Sequence, residues 1–320
     1  MLHSIGNSLK NQIMNYNLFR ILLLIFFQSI TLSVIAQGGS ESLYLLYARN
    51  GMLAQSGDCY DNYLVLVTRY EAKIGLYNLK SKRLCCVCKR EPKMEMVGKS
   101  DVYHANNSSF GTQRYAESDP FPLLYVSNRV NNNKRGVLDV FRLVPLKSEG
   151  AKDYDSLVVQ QVQTIYYPKA TDKNALGSPW TVIDQENNCM YTYSRNNRGK
   201  ASNYGVCRIS KFRIPSVKSS HVVYLNDEDI LDSYEVGFNA PLAQGACIHK
   251  GKMYISQGVS PKYFIGVRVV DLKEHKLIKN YDLRESGFMK EPEGCFIYND
   301  QLMIATSGKK IYKIKIPINE

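Results

Sequence analysis

Two carboxylates stand two residues apart in Glu291-Pro292-Glu293-Gly294, and an extended strand would put both on one face. Paired acids serve as general acid and base, or hold a hard cation such as calcium. Glycoside hydrolysis sets its two acids across the scissile bond, normally from separate elements, and no second acid occupies a comparable strand start elsewhere in the chain. His104 precedes Asn106-Asn107-Ser108-Ser109, which suggests a serine nucleophile with a histidine base. The spacing supplies no nucleophile elbow and no third member, so a loop with a channel-facing histidine is the simpler reading. Asn106 and Asn107 each begin an Asn-x-Ser sequon. Cys85-Cys86-Val87-Cys88 has the density of a metal site, but it lies in a strand-like run with no second cluster and no nearby histidine. No set of residues commits the chain to catalysis, and a non-catalytic reading is favoured.

The elements that would position these residues repeat. Gln244 to Ile255 aligns without a gap on Glu293 to Ile304, and the register extends to Gln55 to Leu66. Each copy is a short apolar strand, a two-residue turn (Lys250-Gly251, Asn299-Asp300, Asp61-Asn62) and a second apolar strand. A fourth copy begins at Trp180, and a fifth begins at His104 with a long excursion to Leu123-Leu124-Tyr125-Val126-Ser127. Third strands follow each pair: 74–79, 137–143, 206–214, 267–272 and 311–316. Fourth strands are expected at 83–88, 157–165, 221–225 and 277–283, and the last unit lacks one. Ser42 to Ala48 is an unpartnered strand ahead of the first unit and is the natural donor. The expectation is an all-β propeller of four-stranded blades closed by its N-terminal strand, which removes two exposed edges. Five blades are favoured, and six would follow if residues 105–121 or 170–179 concealed strands. A β-sandwich is the competing architecture, but it does not account for the recurring strand order.

In a propeller the first strand of every blade lines the axis, so residues far apart in sequence converge. The aligned positions are Gln55, His104, Trp180, Gln244 and Glu293, with Glu291 beside the last. Amides and carboxylates offer hydrogen bonds, and the single Trp offers a stacking surface for a sugar or another hydroxyl-rich ligand. The bland alternative is that these groups satisfy one another or channel water.

Residues 18–36 carry an apolar run led by Arg20 and ending in Val34-Ile35-Ala36, which reads as a secretory signal peptide over residues 1–36, with Met14 as an alternative start. A retained membrane anchor is the competing reading, but the run is short and Gln37-Gly38-Gly39-Ser40 follows at once. Residues 37–320 then form one propeller domain, exported to the periplasm, cell surface or medium. The net charge of +12 becomes +10 when Lys10 and Arg20 leave. The remaining basic residues are dispersed, without a nucleic-acid motif, so nucleic acid is not the expected partner. All eight cysteines lie beyond the leader, where an oxidising compartment permits disulfides. Cys189 and Cys207, on the second and third strands of one unit, are a candidate pair.

The segments His104-Ala105-Asn106-Asn107, Leu123 to Ser127, Gln244-Gly245 and Glu291 to Gly294 resemble exported bacterial β-propellers similar to the propeller domain shared by teichoic-acid-associated and phage receptor-binding proteins. More loosely, the chain is similar to TolB-like and YncE-like propellers. The resemblance implies a surface or periplasmic protein that contacts glycan or cell-envelope material, and it supplies no catalytic set. Those relatives usually show His-x-Asn-Asp where this chain has Asn107. The functional expectation is therefore ligand or partner binding at the channel mouth, with a glycan-directed hydrolase or lyase using Glu291, Glu293 and His104 as the alternative.

Overall fold

The computed structural model describes residues 42–68, 73–89, 105–128, 136–169, 180–195, 206–239, 243–259 and 263–318. The expected leader and His104 lie outside the described residues.

Strand β1 (Tyr44–Arg49) comes first and stands apart from the blade that follows it. The first blade runs β2 (Ala54–Tyr60), β3 (Tyr63–Thr68), β4 (Lys73–Asn78) and β5 (Arg83–Lys89). The second runs β6 (Ala105–Phe110), β7 (Leu124–Asn128), β8 (Val137–Leu146) and β9 (Ser156–Tyr166). In the third, β10 (Trp180–Asp184), β11 (Cys189–Arg195) and β12 (Val206–Arg213) are completed not by the next strand, β13 (Val222–Tyr224), but by β14 (Ile230–Asn239). The fourth contains β15 (Ala243–His249), β16 (Lys252–Gln257), β17 (Gly266–Asp271) and β18 (Lys276–Asp282). The fifth contains β19 (Pro292–Ile297), β20 (Leu302–Thr306) and β21 (Lys310–Ile314), and β1 supplies its outer strand. The protein is a five-bladed β-propeller closed by its N-terminal strand.

The turns follow from local chemistry. Lys250 and Gly251, like Asn299 and Asp300, both take positive φ, as a two-residue turn matched to strand twist requires. At the closure, Tyr44 pairs with Ile314 and Arg49 with Lys310 in antiparallel register. Tyr44 also packs edge-on against Phe288 and Tyr312, with ring centroids 5.0 and 5.8 Å away. The core divides into five apolar clusters, each shared by adjacent blades. Val65 and Leu76 of the first blade meet Phe110 and Phe141 of the second, and Leu64 and Tyr77 of the first meet Phe296 and Met303 of the fifth. Each blade is thus a two-sided apolar slab whose stability depends on both neighbours.

Two sequence expectations are corrected. Residues 221–225 are not the fourth strand of the third blade: β13 pairs parallel to β9, through Val222 with Thr164 and Tyr224 with Tyr166, as a fifth strand on the second blade. Its place is taken by β14, whose apolar pattern is broken by Asp232, Ser233, Glu235 and Gly237, while Val236 and Phe238 carry the packing. Cys189 and Cys207 cannot bridge, because Cys189 lies opposite Arg213 and Cys207 opposite Arg195, at opposite ends of the hairpin. The sequons at Asn106 and Asn107 lie in buried β6, where no glycan could be attached to the folded chain.

Residues 111–123 contain no strand and are tied down instead. Arg142 clasps Asp119 at 2.6 Å, and Gln113 Nε2 donates to the Pro215 carbonyl at 3.0 Å.

Candidate functional site

The inner strands β2, β6, β10, β15 and β19 form the wall of the axis, and four of them carry the same irregularity near their start. The register skips Gln55 between Ala54 and Ser56, Asn106 between Ala105 and Asn107, and Glu293 between Pro292 and Gly294. In β15 it shifts between Ala243 and Ala246, around Gln244 and Gly245. A bulge turns its extra residue out of the ladder and re-aims the side chain. The alignment of Gln55, Gln244 and Glu293 therefore holds in three dimensions, and in the second blade Asn106 occupies the equivalent place.

Trp180 does not share that rung. It pairs directly with Tyr193, as Ser56 pairs with Val67. The half-buried indole stacks on the Tyr193 ring with centroids 5.8 Å apart and planes 20° apart. The Tyr193 hydroxyl donates to the Gln244 carbonyl at 2.7 Å. Burial pushes the Tyr193 phenol well up, so it stays protonated and serves as a donor.

Two amide–carboxylate pairs complete this face. Gln55 Nε2 donates to Glu293 Oε2 at 2.5 Å, and each residue is only 4% exposed. Gln244 Nε2 donates to Glu291 Oε1 at 3.1 Å, and both of these are half-buried. The structure thus brings together Gln55, Gln244, Glu291, Glu293 and, one step further along, Trp180. Both carboxylates come from one short segment, and each meets an amide. Among the described residues, no group of three or more His, Cys, Asp or Glu is placed to hold a metal ion, so the Glu291/Glu293 pair has no third ligand of these types beside it for calcium. The same applies to the cysteines of β5.

Below this rung the axis is narrow and partly filled. A Cβ on Gly245 would lie 2.6 Å from Gly294 Cα, and one on Gly294 would lie 2.8 Å from the Gly57 nitrogen. Only glycine permits backbones to approach so closely. Asn107, fully buried, crosses the remaining gap: its Nδ2 donates to the Thr181 carbonyl at 2.7 Å and to the Ala246 carbonyl at 3.3 Å, while its Oδ1 accepts from the Ala246 N–H at 3.3 Å. A carboxylate could not make the two donations, which gives a physical reason for Asn at this position.

Toward the far ends of the inner strands stands Asp58. It lies within β2, where Oδ2 accepts from the Phe110 N–H at 2.7 Å and Oδ1 from the Cys59 N–H at 2.8 Å. Burial outweighs these bonds and pushes its carboxyl up to about 6.

No protein-family model and no curated protein matches the chain. Among solved structures, it is similar to a glutaminyl cyclase from Myxococcus xanthus, at 10% identity and a TM-score of 0.47 over 87% of this chain and 95% of that one. It is also similar to the tail fiber of Staphylococcus aureus phage P68, at 15% identity and a TM-score of 0.46 over 85% of this chain and 52% of that one.

Proposed function

We propose that this protein is an exported binding propeller without catalytic activity, which takes a hydroxyl-rich ligand, glycan or other cell-envelope material, at the face where its inner strands begin. The observation that supports this reading most is the linked set Trp180, Tyr193, Gln244 and Glu291. A half-buried indole is fixed by stacking, and its partner is hydrogen-bonded to the strand that presents a half-buried amide and carboxylate. Sugars are held by this combination of one apolar face with a few convergent polar groups. The more deeply buried Gln55–Glu293 pair acts as support and fixes the bulges of β2 and β19 against each other. Hydrolysis is less well supported, because Glu291 and Glu293 leave the same strand start and do not flank a bond from separate elements.

A glycan-array screen of residues 37–320, repeated with Trp180→Ala, tests the reading. Binding to one class of polyhydroxylated glycans that disappears in the variant is the expected result. Glycan binding that survives in Trp180→Ala, or no binding to any class, would overturn it.

A further inference from the structure

The mouth of the ring leaves unused a group of buried thiols further along the same inner strands. Cys247 lies in β15 and Cys295 in β19, the axial strands of the fourth and fifth blades. They are 7% and 1% exposed. The two backbones come together just before them, where a Cβ on Gly245 would lie 3.0 Å from the Cys295 nitrogen. The Cys295 Sγ is accordingly placed on the neighbouring blade, 3.4 Å from the Gly245 carbonyl oxygen and 3.3 Å from that of Tyr254. Tyr254 is the residue paired across the hairpin with Cys247, so Cys295 points at the rung that Cys247 occupies. Both cysteines belong to the one apolar cluster packed between the fourth and fifth blades.

Other pairings fit less well. Cys59, in β2 on the other side of β19, directs its Sγ to the Ile297 carbonyl at 2.8 Å, two residues beyond Cys295. Cys189 and Cys207 are separated along their hairpin. Cys85, Cys86 and Cys88 share a single strand in the outermost position of the first blade.

We propose that Cys247 and Cys295 form a disulfide that staples the innermost strands of the fourth and fifth blades. In the reaction each thiol loses a proton, one S–S bond forms, and the two electrons pass to an acceptor disulfide, which is reduced to two thiols. Glutathione disulfide, or the disulfide of a thiol oxidoreductase, fills that role. Burial, and then the hydrogen bond with Cys295, push the Cys247 thiol well up. In the packed ring it is therefore a poor nucleophile, and the exchange occurs before the fourth and fifth blades close on each other. The bond ties the blade completed by β1 to the blade before it.

The test uses residues 37–320, unfolded under reduction and refolded with a mixture of reduced and oxidised glutathione. Free thiols are blocked with N-ethylmaleimide in denaturant, the protein is digested without reduction, and peptides are mapped by mass. The expected result is one linked peptide joining Cys247 to Cys295, lighter by two hydrogens than its parts. The oxidised protein should then melt at least about 4 °C above the reduced protein, and a Cys295→Ser variant should lose that difference. N-ethylmaleimide on both Cys247 and Cys295 after refolding, or a link from either one to Cys59, would overturn the proposal. The map reads the wild-type chain, so it does not depend on a variant folding or on any ligand being known.

Discussion

The side chain of Asn107 and the backbone of Ala246 face each other across the axis of the ring, exchanging two hydrogen bonds of 3.3 Å although neither residue's strand is the other's neighbour. A third bond from the same amide reaches Thr181. One buried amide thus holds three blades in register. Its value lies in having both donor and acceptor, because the groups around it are carbonyls and one N–H.

Replacing Asn107 with Asp removes both donations and sets a carboxylate against two carbonyl oxygens. The loss expected at pH 7 is about 2–4 kcal/mol. Asn107→Ala, which leaves the same groups unpaired without adding charge, should cost less. Urea unfolding of the two variants measures the order, and an Asn107→Asp variant as stable as wild type would show that the amide is not the clamp.

The closure predicts a global effect from a local deletion. Removing residues 42–48 takes away the β1–β21 ladder and the Tyr44 contacts with Phe288 and Tyr312. The melting temperature should fall by about 10 °C or more, with the whole β signal lost in one transition. A change within the scatter of replicate scans would mean that β1 is an appendage.

Asp58 and Asp153 should respond to pH with opposite sign. Asp58 has its folded pKa raised to about 6 from 3.8, so the native state binds the proton more tightly than the unfolded chain. Stability from this group is therefore lost as pH rises from about 4 to 6, by ~1–3 kcal/mol. Asp58→Asn should gain on wild type across that window. For Asp153, burial pushes the carboxyl up, but hydrogen bonds from Tyr63 at 2.8 Å, from the Tyr154 N–H and from Asn78 at 2.6 Å outweigh it and hold the group below its usual range. Its contribution is present above the unfolded carboxylate pKa and is lost as pH falls. Urea midpoints from about pH 2 to pH 7 for both Asn variants check these slopes, and parallel curves for wild type and Asp58→Asn would contradict the first.

Hairpins and closure were legible in the sequence because they depend on local signals: turn pairs such as Lys250-Gly251 and Asn299-Asp300, and an unpartnered apolar strand at residues 42–48. What escaped is what neighbouring blades decide. Val222 to Tyr224 has a strand's pattern, but pairing with β9 places it on the second blade. Ile230–Asn239 looks too polar for a strand, yet its exposed Glu235 meets Arg208 at 2.6 Å while Val236 packs inward. The rung of Gln55, Gln244 and Glu293 was visible from ungapped alignment, whereas the one-residue offset of Trp180 depends on a bulge that β10 lacks among its described residues. Asn107 stood out only as a departure from the His-x-Asn-Asp pattern, because its partners, Thr181 and Ala246, are remote in the chain.

The binding face is tested most directly by the affinity of an array-identified glycan for wild type, Trp180→Ala and Glu291→Gln, measured by titration calorimetry. Both side chains are half-buried at the mouth, and loss of a hydrogen bond to a charged group costs about 1.5–3 kcal/mol. The account predicts that each variant binds roughly tenfold more weakly or worse while still unfolding in one cooperative transition. Wild-type affinity in both folded variants would contradict it and place the ligand elsewhere on the ring.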